Sequence, residues 1–240
     1  MKKLKLCLIG AQGKMGNEIR ELVINSEHFR AHFEASVAVV REGACEGFKK
    51  SVSQISQISK SDVDVIIDFS SLEMSRKSLQ LASKMELPFV CGVTGLSDSD
   101  FKNLKTAAKR TSILWAPNMS LGIAALKAAL YHMTSLEGFD FQIIEAHHSM
   151  KKDSPSGTAL ALQKVLEKET RKRMPAPLSI RGGGIVGDHS VLAMSEDEVL
   201  EFSHRALKRS VFAKGALTAA LWLSKRRNGF FEIEDVIRDA

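Results

Sequence analysis

The densest polar chemistry in the chain lies between Glu145 and Ala159, EAHHSMKKDSPSGTA. Two adjacent histidines, His147 and His148, precede Lys151, Lys152 and Asp153, a proline turn, and then Ser156-Gly157-Thr158. Imidazole is the side chain best placed to give or take a proton near neutral pH. A lysine adds positive charge or a second proton. Ser156, Gly157 and Thr158 stand where a helix should start, so their hydroxyl and N–H groups form a ready carboxylate site. One loop thus offers an acid and an anion cradle together. A shared metal ion fits less well. His147 and His148 are neighbours at a strand end, and neighbouring strand residues point to opposite sides.

A second candidate site opens the chain. GAQGKMG, Gly10 to Gly16, follows the apolar run Leu4–Ile9 and precedes a helical pattern with Met15, Ile19, Leu22 and Val23 on one face. Glycines in that position let the backbone approach a pyrophosphate, and the helix N-terminus then faces the anion. The spacing is GxxGxxG rather than GxGxxG, and a tight strand–helix turn without a ligand is the plainer alternative. The next strand ends Val39-Val40-Arg41-Glu42. An acid at that end would take a ribose hydroxyl and favour NAD, whereas an arginine suits the 2′-phosphate of NADP. Arg41 therefore favours NADPH, with a solvated loop charge as the plainer reading.

These groups need a frame, and the first half supplies an alternating one. Strands are expected at Leu4–Ile9, Phe33–Val40, Val63–Phe69, Pro88–Cys91 and Ser112–Trp115. Helices are expected from Lys14, over Glu73–Met85, and from Ser97 or Ser99 to Arg110. Apolar runs alternating with helices argue for a doubly wound parallel sheet with right-handed crossovers. After Asn118 the rhythm changes. A long helix is expected over Leu121–Leu136, a strand over Phe139–Ala146, and a helix from Gly157 to Arg173 broken by Pro175 and Pro177. Strands over Ser179–Ser195 and Glu198–Ala206 then make a second, mixed sheet. An apolar helix over Lys214–Arg226 and a short final helix end the chain.

Composition excludes several classes. Of 240 residues, 44% are hydrophobic and 26% charged, which is ordinary for a globular chain. The longest charge-free stretch, Thr111 to Leu126, contains Pro117, Asn118 and Gly122, so no membrane span is expected. The apolar run after the first lysines is too short for a signal core, and a cytoplasmic location is expected. Cys7, Cys45 and Cys91 lack metal or disulfide spacing, and Cys7 and Cys91, each in an apolar run, read as small buried hydrophobes. The net charge of +6 is dispersed, with only short clusters such as Arg171–Arg173 and Lys225–Arg227. With one tyrosine and two tryptophans there is little to stack bases on. An anionic small substrate or a phosphate-bearing cofactor suits that charge better than nucleic acid.

Taken in order, GAQGKMG, DFSS (Asp68–Ser71), GVTG (Gly92–Gly95), WAPNMSLG (Trp115–Gly122), EAHHSMKKDSPSGTA, RGGGIVGDH (Arg181–His189) and HRALKRSVFAKGALTAALWL resemble the 4-hydroxy-tetrahydrodipicolinate reductase family nearly end to end. Older usage calls it dihydrodipicolinate reductase. The resemblance implies an α/β fold, with a Rossmann-type doubly wound parallel sheet and a second α+β mixed-sheet domain. The dinucleotide-binding domain would span 1–118 and 209–240. The substrate-binding and oligomerisation domain would span 119–208, with a homotetramer as the assembly. It implies NAD(P)H-dependent reduction of a cyclic imine dicarboxylate with loss of water, in lysine biosynthesis via diaminopimelate. Cofactor contacts would fall on Gly10, Ala11, Gln12, Gly13, Lys14, Met15 and Arg41. Others would fall on Gly92, Val93, Thr94, Ala116, Pro117, Asn118 and Met119. His147 matches the proton donor and Lys151 its second donor. His148, Lys151, Ser156, Gly157 and Thr158 match the groups that hold the substrate carboxylates.

The chain departs from the pattern at four places. Val40 stands where the family has an acid, Ser154 replaces an alanine, and Met119 replaces a common phenylalanine. The stretch Met174–Pro177 is short. Two other readings remain: another two-domain NAD(P)H reductase of a small carboxylic acid, and an NADPH-sensing protein without turnover.

Overall fold

The computed structural model describes residues 2–133, 136 and 138–239. The chain forms two compact units, Met1–Ser120 with Phe212–Ala240, and Leu121–Val211.

In the first unit each apolar run becomes a strand of one parallel sheet. The elements are β1 (Leu4–Ile9), α1 (Lys14–Asn25), α2 (Glu27–His32), β2 (Phe33–Val39), β3 (Lys50–Val52), β4 (Val65–Asp68), α3 (Leu72–Met85), β5 (Phe89–Cys91), α4 (Asp98–Ala107) and β6 (Ser112–Trp115). The chain later returns to add β11 (Gly229–Phe231). The sheet order is β11-β6-β5-β4-β1-β2-β3, and every pairing is parallel. Strand order runs outward both ways from β1 and β4. The switch point of this doubly wound sheet therefore lies between them, where ligands bind in such folds. Leu6 to Ile9 of β1 are fully buried, which is why the run carries no polar residue. Ser71 caps α3 and Ser97 caps α4. Asp100 completes the Ser97 capping box and also takes both arms of Arg76 from α3 (2.7 and 3.0 Å), tying the two helices.

The second unit runs α5 (Leu121–Leu130), β7 (Asp140–His147), α6 (Gly157–Thr170), β8 (Leu178–Arg181), β9 (Gly187–Met194) and β10 (Val199–Ala206). Its sheet, β10-β9-β7-β8, is mixed: β7 and β8 are parallel, and the other pairs are antiparallel. Ile123, Leu126 and Leu130 of α5 and Leu162 and Leu166 of α6 pack on Phe141, Ile143, Val191 and Ala193. Each fully buried leucine there is worth roughly 1.5–3 kcal/mol. The helices α7 (Ser210–Leu223) and α8 (Ile233–Arg238) complete the chain.

Several expected elements end elsewhere or divide. The helix expected to reach Leu136 stops at Leu130, where i→i−3 bonds to Ala128 and Ala129 tighten the last turn. Thr134 and Ser135, which that expectation also covered, lie outside the described residues. The single strand expected over Ser179–Ser195 is two, because Gly182-Gly183-Gly184 turns the chain, with Gly183 at a positive φ of 50°. The helix expected to reach Arg173 ends at Thr170, with Arg171 in the left-handed region.

Candidate functional site

Alternation along β7 sets up the site of the second unit. Phe141, Ile143, Glu145 and His147 all face inward. The first two join the apolar core and the last two do not. Strand register extends this polar end across the sheet. Ser179 of β8, Glu145 of β7, His189 of β9 and His204 of β10 stand abreast as one rung. Arg181 stands beside His147 two residues further along, on the same face.

Glu145 is fully buried and saturated with donors. Its Oε1 accepts from the Ser156 N–H (3.1 Å), the Ser179 hydroxyl (2.6 Å) and Arg181 (2.7 Å). Its Oε2 accepts from Arg181 (2.8 Å) and meets Nδ1 of His147 at 2.5 Å. Burial alone would raise this carboxyl, but the bonds from Arg181, Ser179, His147 and Ser156 outweigh it and hold it at about 2. An ionised Glu145 assigns the Nδ1 hydrogen to His147, leaving Nε2 as the group free for chemistry. The His147 pKa lies below its usual value. Burial is the main cause, Glu145 opposes it, and the charges of Lys151 and Arg181 add to it.

Gly187 leaves room beside that nitrogen: a Cβ there would lie 3.1 Å from His147 Nε2. The rings of His147 and His189 meet edge to face at 5.1 Å. Burial and the neighbouring His147 lower His189 to about 4, so it is neutral.

The turn after β7 brings in the remaining groups. The His148 N–H bonds Ile185 O (2.7 Å), and Gly182 N–H bonds His147 O (3.0 Å), so the glycine turn braces the histidine pair. Lys151 holds Asp153 at 2.8 Å, and Arg181 also bonds the Asp153 carbonyl (2.7 Å). Ser156 N-caps α6 through the Ala159 N–H. Thus His147, Lys151 and Ser156, singled out from sequence, share one polar constellation, while His148 braces its turn. Glu145, Ser179, Arg181 and His189 complete it and were not singled out. Their sequence signal is a polar or charged residue at an inward position of an alternating strand.

In the first unit, the glycine turn sits at the sheet's switch point. Gly10 has φ +80°, and a Cβ on it would lie 2.8 Å from Phe69 O. A Cβ on Gly16 would lie 2.2 Å from Gly10 O, so that glycine lets α1 close onto the turn. No side chain caps the start of α1 at Gly13. A cavity of about 590 Å³ follows the ends of β1, β2 and β4, bordered by Gly10, Gln12, Gly13, Arg41, Ser53 and Ser70. The uncapped helix start and glycine cradle fit a dinucleotide's phosphates. Gln12 bridges the cavity wall: its Nε2 donates to Glu42 O (2.8 Å) and its Oε1 accepts the Arg41 N–H (3.1 Å). Ala11 is buried and its N–H bonds Val39 O, so it holds the turn to β2. Lys14 is exposed and Met15 half-buried at the start of α1.

The other expected cofactor residues lie at neighbouring strand ends. Gly92 N–H bonds Asp68 O (2.9 Å), Ala116 N–H bonds Cys91 O (3.1 Å), and Trp115 Nε1 donates to Val93 O (2.9 Å). Val93, Ala116 and Met119 are buried; Thr94 and Pro117 are exposed. The Asn118 side chain accepts the Ser120 N–H (2.9 Å). Asp68 itself is fully buried, and its Oδ1 accepts both the N–H (2.9 Å) and hydroxyl (2.6 Å) of Ser70. Cys7, Cys45 and Cys91 are all buried. Among the described residues no group of three metal-ligating side chains occurs, and no helix is long and apolar enough to cross a membrane.

Comparison with known proteins identifies the family. The family profile "Dihydrodipicolinate reductase, N-terminus" matches residues 4–119, and "Dihydrodipicolinate reductase, C-terminus" matches residues 120–237. A 4-hydroxy-tetrahydrodipicolinate reductase of Bdellovibrio bacteriovorus is 44% identical over 237 residues, covering 99% of this chain and 97% of its own. One from Zymomonas mobilis is 34% identical, covering 98% and 97%. Among solved structures, the dipicolinate-bound dihydrodipicolinate reductase of a Paenisporosarcina species shares the fold at a TM-score of 0.83 and 20% identity, covering 98% of this chain and 99% of its own. The chain belongs to the dihydrodipicolinate reductase family across nearly its whole length.

Proposed function

We propose that this protein is an NAD(P)H-dependent oxidoreductase that reduces (2S,4S)-4-hydroxy-2,3,4,5-tetrahydrodipicolinate to tetrahydrodipicolinate with loss of water, in lysine biosynthesis via diaminopimelate. Full-length family membership supports the reaction. The observation that carries the site assignment is the buried Glu145–His147 pair beside the Ser156 cap.

In this reading the first unit, through Gly10–Met15, Arg41, Gly92–Thr94 and Ala116–Met119, holds the dinucleotide, with NADPH preferred to NADH. Bound there, the reduced nicotinamide supplies hydride. The second unit holds the substrate. Lys151, His148 and the helix start at Ser156, Gly157 and Thr158 take its two carboxylates. The substrate's hydroxyl leaves as water, which extends the conjugation of the imine. Hydride then adds to the ring carbon conjugated with that imine, and one proton balances the step.

His147 supplies that proton from Nε2, with Lys151 as second donor. In the free protein burial keeps the imidazole short of a proton. An arriving dianion raises its proton affinity, because negative charge nearby favours the imidazolium. Glu145 stabilises the same cation from the other side. The donor is therefore loaded when the substrate binds.

The second unit also supports a homotetramer. The outer face of its sheet leaves Ile180 (53%) and Val199 (61%) exposed beside the partly exposed Ile144, Leu192 and Met194. Such an uncovered apolar face suits a second copy of the same chain. With no membrane-crossing helix among the described residues, a cytoplasmic location is part of the proposal.

The test is loss of NADPH absorbance when the purified protein meets substrate made in situ by the preceding synthase. His147→Gln should lower turnover by roughly 10²–10⁴-fold. Full turnover in that variant overturns the donor role. No turnover in the unaltered protein, with tight NADPH binding, would favour the sensor instead.

A further inference from the structure

The His189 side chain does work that the proposed reaction has not yet used. It is 3% exposed and belongs to neither carboxylate cradle nor proton donor, yet it touches both. Its Nε2 lies 3.2 Å from the Ser156 hydroxyl, and its ring packs on that of His147. Its Nδ1 is buried with no hydrogen-bond partner among the described residues.

That last observation fixes the tautomer. A hydrogen on Nδ1 would be a buried donor with no acceptor on a fixed ring, whereas the Ser156 hydroxyl hydrogen that the other tautomer releases can rotate toward the carboxylate it is proposed to hold. The hydrogen therefore sits on Nε2 and is donated to Ser156 Oγ. The same oxygen accepts the Ala159 N–H at 3.2 Å. Both lone pairs of the hydroxyl are then engaged by donors. Ser156 in turn gives its backbone N–H to Glu145, which carries His147. A closed chain of contacts links His147, Glu145, Ser156 and His189.

We infer that His189 is a positioning residue that locks the start of α6 to the His147 ring, so that the anion cradle and the proton donor keep one fixed spacing. Its two contacts have separable roles. The bond to Ser156 holds the helix start and leaves the hydroxyl hydrogen free for an acceptor. The ring edge holds the imidazole of His147. Around it stand His147 and Glu145 from β7, His204 from β10 and Lys151 from the turn, so a neutral ring there avoids competing for the proton.

The inference rests on the assignment of His147 and Ser156–Thr158 to the substrate, and two variants test it separately from that assignment. His189→Phe keeps a ring against His147 and removes the donor. Its KM for substrate, and its Kd for dipicolinate measured by calorimetry, should rise about five- to tenfold, with kcat within about threefold of the unaltered protein. His189→Gln keeps an amide donor for Ser156 and removes the ring. Its Kd should stay within about threefold while kcat falls about tenfold. Ser156→Ala should weaken binding by a similar factor, and combining it with His189→Phe should add little.

Unchanged KM and Kd in His189→Phe, or additive losses in the double variant, would overturn the inference. Equal losses of kcat and binding in both variants, with a lowered Tm, would overturn it too, as marking a merely structural residue. If the unaltered protein binds no dipicolinate and turns over no substrate, the parent assignment has failed instead.

Discussion

Glu145 and His147 lie two residues apart on the inward face of one strand, and the carboxylate of the first meets Nδ1 of the second at 2.5 Å. The pairing makes Glu145 serve two ends. It fixes the imidazole's tautomer, and with Arg181 it anchors β8 to β7. Both services need the negative charge.

Glu145→Gln separates charge from shape. The amide cannot stabilise an imidazolium, and it leaves Arg181 facing a neutral partner. We expect kcat to fall about 10²-fold with KM changed less, and stability to drop by about 3 kcal/mol. The carboxyl's folded pKa is below its ordinary 4.5, at about 2. Its contribution is therefore present above pH 4.5 and lost as pH falls through that window. Denaturant melts of the two proteins from pH 7 to pH 2 should converge on the acid side. A constant gap would show that the charge of Glu145 does not hold the fold.

Asp68 behaves in the opposite sense. Burial pushes it up from 3.8 to about 6, against the two bonds from Ser70. A raised carboxyl costs stability once ionised. The cost is absent below pH 3.8 and complete above about pH 6. Asp68→Asn keeps an acceptor for Ser70 and removes the charge. It should be more stable than the unaltered protein by about 2–3 kcal/mol at pH 8, and nearly equal at pH 4. Thermal melts at the two pH values check this; a variant less stable at pH 8 would refute it.

Much of the frame was legible because parallel strands buried on both faces leave unbroken apolar runs, as in Leu6–Ile9 and Val65–Ile67. Lys50–Val52 and Gly229–Phe231 were not, since these three-residue edge strands have too few apolar positions to show a period. The short helix Glu27–His32 buries only Phe29 and shows no stripe. His147, Lys151 and Ser156 were legible because they fall within one short string. Glu145 opens that string, but Ser179, Arg181 and His189 come from two other strands, and only the register of the sheet makes them its neighbours. Register is a property of pairing, and a single strand does not state it.

Arg41 stands at the mouth of the first unit's cavity, its backbone held by Gln12. If its guanidinium meets a 2′-phosphate, removing it should penalise only the cofactor that carries one. Arg41→Ala should raise the KM for NADPH about tenfold and leave that for NADH within about twofold. Gln12→Ala, which frees the loop without removing the charge, should show the same preference in weaker form. Equal changes for both cofactors in steady-state titrations would remove the phosphate role.

Gly187 tests whether space beside His147 matters. It sits in ordinary strand conformation, so an alanine there meets no backbone penalty, but its Cβ would press on Nε2 (3.1 Å) and Cδ2 (3.4 Å). Contacts that close force the ring to shift by a few tenths of an ångström. A proton donor tolerates such a shift poorly, because transfer depends on a heavy-atom distance of about 2.6–3.2 Å. Gly187→Ala should therefore lower kcat about tenfold while the far-ultraviolet spectrum and Tm stay near those of the unaltered protein. Gly184→Ala is the control: it lies in the neighbouring turn, and its Cβ would meet nothing within 4 Å. If the two alanines behave alike in turnover, the imidazole's Nε2 side is not where the proton leaves, and the donor must be sought at Lys151.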